Sequence, residues 1–463
     1  MKNILKLTAL VSALGAALPL HASPAAAVPE TFGGDLMSRP RLTGDWGGVR
    51  DDMAKKGVTL DLDLYWMPQT ILSGGKDETT ASWGNAITAF KLDTGKAGLW
   101  PGGFFKVQTV TSFGDNIMRD TGAMVPANIS WMLPTATDTD TGLQEFTYTQ
   151  FLSQHFGVFL GKINAIAPTN VLHGDYTTGF LNTSINMPLA LAMVPLSAYG
   201  VGAIYAPSHD VTVAGMVLDP NGTIKKNDIG DVFDDGVMAL VSGDLKIKPG
   251  GLPGHQNLAL AWSNKDRTSL IQDPANIANL LLTSRFPRLG DLNRFIRENT
   301  DLTPVLGAPR PLNKESETWS AVYSFEQFVW QPAGDPTRGV GVFFSAGVSD
   351  GKASPIKYSY SLGLVGKGVV PGRPRDDLGI AWARTEFSDD FLRPLRALPV
   401  NIGLDREDAV ELYYNAAVTP WLSVSPSLQV ISPALNKTFD AASHTFKDLD
   451  TTYILGVRMG VRF

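Results

Sequence analysis

No cysteine occurs in the 463 residues. Disulfides, thiolate nucleophiles and cysteine-ligated metals are excluded together. Long hydrophobic runs are also missing: no stretch beyond residue 30 approaches the roughly 20 consecutive apolar residues that a spanning helix needs. Basic character is lacking. Lys and Arg number 39 against 45 Asp and Glu, a net charge of −6 that excludes the basic patch of a nucleic-acid binder. The six histidines, His21, His155, His173, His209, His255 and His444, are scattered without metal-ligand spacing. The acid pairs Asp234–Asp235 and Asp389–Asp390 fall in expected loops as solvated turns. Neither catalysis nor a cofactor or metal is expected.

What is present begins at the N-terminus. Lys2 and Lys6 form a charged region, Ile4 to Leu18 a short apolar one, and Ala25-Ala26-Ala27 a small-residue cleavage site. Residues 1–27 read as a signal peptide cut after Ala27, with Ala22 the less favoured site, because the run is too short to span. With no later helix to stop transfer, the mature chain is expected in the periplasm or beyond it.

The remainder alternates with period two. In the last segment Tyr453, Leu455, Val457, Met459, Val461 and Phe463 share one side, with Thr452, Arg458 and Arg462 on the other. Leu60, Leu62, Leu64 and Trp66 alternate with Thr59, Asp61, Asp63 and Tyr65; Leu422, Val424, Leu428 and Val430 alternate with Ser423, Ser425, Ser427 and Gln429. A soluble barrel would fill its interior with apolar groups. A second face of small and polar residues suits a water-filled channel, and the mean hydropathy of 0.00 suits a wall shared between lipid and water. The pattern predicts a closed antiparallel transmembrane β-barrel of about 16 strands. They are expected to start near residues 59, 83, 103, 143, 156, 197, 210, 236, 256, 317, 339, 355, 377, 408, 421 and 450.

Connections alternate in length. Joins such as Gln154–His155, Pro207-Ser208-His209 and Thr419-Pro420 are tight, whereas 114–142, 164–196 and 266–316 are long, as with periplasmic turns and external loops. The 164–196 loop could enter the lumen through Asn182 and Asn186 or stand outside as a flap. The 266–316 segment is expected to contain a helix and cap the mouth. Residues 28–58 form an N-terminal periplasmic segment. Its short helix is capped by Asp45 and ended by Gly57, and should dock on the barrel mouth because about ten residues are marginal alone.

The run Leu42-Thr43-Gly44-Asp45-Trp46-Gly47-Gly48-Val49-Arg50 resembles the start of the carbohydrate-selective porin (OprB-type) family. Leu160-Gly161-Lys162, Arg373-Pro374-Arg375-Asp376-Asp377-Leu378-Gly379-Ile380, Glu411-Leu412-Tyr413-Tyr414 and Pro420-Trp421-Leu422 agree with it, so the resemblance spans nearly the mature chain. It implies a sixteen-stranded barrel in the Gram-negative outer membrane that passes small sugars such as glucose down a gradient. The final strand resembles the signal by which such barrels are inserted, with Phe463 read by the insertion machinery.

By parity the lumen candidates are Asp61, Asp63, Lys91, Lys106, Gln108, Glu145, Glu411, Tyr413, Asn415, Gln429, Arg458 and Arg462, with Glu411 and Arg458 foremost. Selectivity arises from width, hydrogen-bond groups and charged rings. Each could instead brace the wall. Trp66, Trp262, Trp319, Trp330, Trp382 and Trp421 are expected in interfacial girdles, while Trp83, Trp100 and Trp131 are the candidates for stacking on a sugar. The expected partners are small polar solutes and outer-membrane lipid. Small organic or aromatic acids are the alternative cargo, and an outer-membrane enzyme or structural barrel is the reading from another class. The sequence does not separate a monomer from a homo-oligomer.

Overall fold

Strict alternation leaves the backbone one way to serve two solvents. A pleated strand turns successive side chains to opposite faces, and a closed sheet leaves no backbone edge unpaired in lipid. The computed structural model of the chain describes residues 28–134, 139–165, 171–273, 276, 311–396, 401–440 and 445–463. The first half of the wall is β1 (Val58–Ser73), β2 (Thr80–Asp93), β3 (Gly103–Gly114), β4 (Thr141–Phe151), β5 (Phe156–Asn164), β6 (Ser197–Tyr205), β7 (Val211–Leu218), β8 (Met238–Ile247) and β9 (Gly254–Ser263). A small hairpin, β10 (Arg267–Thr268) with β11 (Lys314–Glu315), stands outside the wall. The wall resumes with β12 (Thr318–Trp330), β13 (Gly339–Ser349), β14 (Ile356–Lys367), β15 (Asp377–Phe387), β16 (Arg406–Ala417) and β17 (Leu422–Ser432). A second external hairpin, β18 (Lys437–Asp440) with β19 (Thr445–Asp448), precedes the closing strand β20 (Thr452–Arg462).

Sixteen antiparallel strands close into one barrel, each bonded to its sequence neighbour within the wall, and β20 pairs with β1. Every strand of the wall starts within three residues of its expected position. Most outward positions are apolar and exposed, as at Leu60, Leu62, Leu412, Leu428, Leu455 and Val457. Phe113 lies across Gly84 on the neighbouring strand, where a Cβ would meet the ring at 2.0 Å, so glycine is required there. The expected signal peptide, and most of the 266–316 segment with its expected helix, lie outside the described residues.

The N-terminal strap carries helix α1 (Val49–Lys55), followed by Gly57 at φ +80, where a Cβ would meet Asp93 O at 2.6 Å. The expected Asp45 cap is corrected: Gly48 holds the cap position without a side-chain bond, and the Asp45 carboxylate accepts Gly47 N–H at 3.2 Å. Docking holds the helix instead. Arg50, nearly fully buried, donates to Leu60 O at 2.9 Å and to Phe463 O at 3.0 Å, which ties the helix across the β1–β20 seam. Leu42 N–H donates to Arg462 O, and Trp421 Nε1 to Leu36 O.

The interior is not simply water-filled, which corrects the sequence expectation. Buried apolar clusters stand inside the wall because the loops after β3 and β5 fold into the bore. Tyr65, Met67 and Trp83 pack there against Ile117, Ala127, Trp131 and Leu181. Phe343, Val365 and Tyr413 pack against Leu172, Phe180 and Ile185. Two further α-helices among the described residues are α2 (Thr183–Asn186), inside the bore, and α3 (Asp389–Arg396), in an external loop.

Candidate functional site

Loop backbone inside a barrel carries N–H and C=O groups that need partners away from water. The wall supplies them with ionised side chains. Glu411 on β16 accepts Leu181 N–H at 2.9 Å and Asn182 N–H at 2.8 Å, with Ser427 Oγ donating at 2.8 Å. Two alternations back along β16, Glu407 accepts Met124 N–H at 2.7 Å and Val125 N–H at 3.0 Å. Glu326 on β12 accepts the N–H groups of Val171 at 2.8 Å and Leu172 at 2.9 Å, and His173 Nδ1 stands 2.6 Å from it. Arg458 on β20 does the converse, donating to Tyr176 O at 2.5 Å and Gly179 O at 2.9 Å. Three carboxylates and one guanidinium, all buried, thereby hold two loops against the inner wall.

The loops also hold each other. Ile129 N–H donates to Leu181 O at 3.0 Å, and Thr183 N–H to Pro126 O at 3.3 Å. Gln429 bridges both, donating to Ala127 O at 2.9 Å and accepting from Asn182 Nδ2 at 3.0 Å. Asn182 and Asn186 are buried, with Asn186 Nδ2 closing on Phe180 O and Asn182 O.

The sequence candidates thus divide. Glu411, Arg458, Gln429 and Tyr413 face the interior but are buried under the 165–196 loop, so they bond or pack against it rather than meet a solute. Asn415 is buried beside Ser425, which donates to it at 2.6 Å. Trp83 and Trp131 are also buried; Trp83 Nε1 donates to Ser130 O, which removes both as stacking platforms. Trp100 is exposed at a turn and donates to Tyr148 Oη.

The other candidates keep contact with solvent and form one arc. Arg462 is directly opposite Asp63 across the β20–β1 seam. Asp61 and Asp63 follow on β1, Lys91 on β2 is opposite Lys106 on β3, and Gln108 is opposite Glu145 on β4. The charges are paired: Lys106 lies 2.6 Å from Glu145 and Lys91 3.4 Å from Asp61. Glu145 is the exception: it is buried behind the arc, where its carboxylate offsets the Lys106 charge. Arg41 reaches Asp61 at 2.9 Å from the strap and also contacts Asp63. Arg50 stands 3.5 Å from Asp61; burial and the neighbouring Arg41 charge lower its pKa.

Sequence reasoning missed Glu326, Glu407, the entry of the 115–140 loop and the strap residue Arg41. Glu326 and Glu407 were within reach of parity, since each shares its face with inward neighbours Phe328 and Ala409. Arg41 lies outside any strand, and no periodic signal marks it.

A closed barrel with an aliphatic outer wall, loops folded into the bore and a polar arc beside them defines an outer-membrane channel and not an enzyme. The chain belongs to the carbohydrate-selective porin, OprB family, whose model matches residues 77–463. It is 34% identical over 418 residues to Porin B of Pseudomonas aeruginosa, covering 84% of this chain and 86% of that one. The high-pH structure of Pseudomonas putida OprB superposes with a TM-score of 0.72 at 20% identity, over 93% of this chain and 100% of that chain. The low-pH structure of the same protein gives 0.53 at 18% identity, over 92% and 99%. Those two likenesses carry the fold; the family and Porin B identify a sugar porin of the Gram-negative outer membrane.

Proposed function

We propose that this porin passes glucose-type sugars by diffusion, and that the solute slides along the arc of Asp61, Asp63, Lys91, Lys106, Gln108 and Arg462. The observation that carries the reading is the pairing of charges in that arc, foremost Lys106 with Glu145 at 2.6 Å. Paired groups of both signs donate to and accept from hydroxyls, while their opposed charges give little net preference for an ion. Loops inside the bore supply the narrowing, with Asn182 and Asn186 among the residues that set the 165–196 loop there. Organic acids fit less well, because Arg458 is taken up by loop carbonyls and Lys106 by Glu145. The aliphatic face contacts lipid, and the strand ending in Phe463 serves as the insertion signal.

Liposome swelling tests the reading. Glucose should swell vesicles faster than gluconate at equal osmolarity, and Lys106→Ala should slow glucose entry while leaving the folded barrel intact. Faster entry of the acid, or glucose rates indifferent to Lys106→Ala and Asp61→Asn alike, would overturn it.

A further inference from the structure

Five wall strands from β20 to β4 carry the polar arc, but the cation nearest its acids does not come from the wall. Asp61 and Asp63 sit two residues apart on one face of β1, close to the end of the barrel where the strap docks. Two carboxylates so placed draw cations toward the mouth and repel anions, an effect tempered by Lys91 and Arg462 on the wall and by Arg50 on the strap. Arg41 meets both: Nη2 lies 2.9 Å from Asp61 Oδ1, and Nη1 contacts Asp63 Oδ1. All three side chains remain partly solvated, at 16%, 15% and 24% exposure, so the group borders the aqueous path and is not sealed in a core.

The strap holds Arg41 in place from both sides. Leu42 N–H, the next residue, donates to Arg462 O at 2.8 Å. Arg50 anchors α1 to Leu60 O and Phe463 O and itself approaches Asp61. The strap lies outside the span matched by the family model, which begins at residue 77. We infer that Arg41 is a specificity-determining residue: delivered into the mouth by the N-terminal strap, it offsets one of the two carboxylate charges of the Asp61–Asp63 pair and so lowers the channel's preference for cations over anions. The inference rests on the reading that solutes pass along this arc.

Reversal potentials across planar bilayers in a potassium chloride gradient test it. Arg41→Gln should raise the cation-to-anion permeability ratio several-fold. Asp61→Asn with Asp63→Asn should move it the opposite way, and Arg41→Gln combined with Asp63→Asn should return it close to the parent value. Heat-modifiable gel mobility confirms that each variant is a closed barrel. A folded Arg41→Gln channel with the parent reversal potential overturns the proposal. So does a shift that Asp63→Asn fails to reverse, since that points to a displaced strap and not to charge. If the Asp61 and Asp63 variants change neither ion preference nor glucose swelling, the pathway reading itself falls; if they change both while Arg41→Gln changes nothing, only the role of Arg41 falls.

Discussion

At the scale of single residues, burial separates the groups that hold the loops from those that line the path. Glu411 is fully buried and bonded to two loop N–H groups and a serine hydroxyl. Truncation strands those donors, at about 1–3 kcal/mol for each buried group left unpaired. Glu411→Ala should therefore lower the unfolding midpoint and give larger, noisier single-channel currents. A quiet channel of parent conductance would show that the loop does not depend on this anchor. A second residue acts at the turn between β14 and β15. Burial works against ionisation of Asp376, but Arg373 Nε at 2.7 Å, the Tyr414 hydroxyl and Ala417 N–H at 3.0 Å hold its pKa below the ordinary carboxylate value. A depressed folded pKa stabilises at pH above the unfolded value of about 4, and the contribution is lost as pH falls through the folded value. Asp376→Asn should thus cost stability at pH 7 and progressively less as the medium is acidified below about 4. Urea unfolding in lipid at the two ends of that range checks it; an equal cost at both removes the charge from the account.

At the scale of elements, the wall was open to sequence reading and the loops were not. Lipid on one side and polar groups on the other enforce alternation, so the register of β1, β17 and β20 could be read from residues such as Leu60, Leu428 and Leu455. A loop has no such period. Its path inside the bore depends on which distant wall residue meets its N–H groups, as Glu407 meets Met124 and Val125 across the chain. Parity correctly put Glu411 and Arg458 on the inner face, yet it could not tell that loop backbone would cover them. The loop after β5 is the element to remove. Replacing residues 171–187 by a short glycine-serine linker takes away the partners of Glu326, Glu411 and Arg458 together. Conductance should rise several-fold and trisaccharides should begin to swell liposomes. Unaltered size discrimination would place the narrowing elsewhere, with the 115–140 loop the next element to shorten.

At the scale of the whole molecule, one closed sheet separates three environments: lipid outside, a packed plug inside, and a solvated arc beside the plug. The outward face shows how depth governs what the wall tolerates. Aliphatic side chains dominate it, yet Arg384, Glu386, Arg406 and Asp408 share an outward patch on β15 and β16. Arg384 pairs with Asp408 at 2.8 Å, and Trp382 Nε1 donates to the same carboxylate. These positions lie toward the ends of the strands that carry the long loops, where a lipid-facing charge costs about 0–1 kcal/mol, against roughly 2–4 for arginine at the midplane. The contrast gives a direct measurement. Leu428 lies midway along β17 and is exposed to the outside, whereas Leu422 opens the same strand on the same face. Leu428→Arg should reduce the unfolding free energy in lipid by about 2–4 kcal/mol, and Leu422→Arg by no more than about 1. Equal, small effects at both depths would mean that this face of the wall does not meet hydrocarbon, and that something other than lipid covers β17.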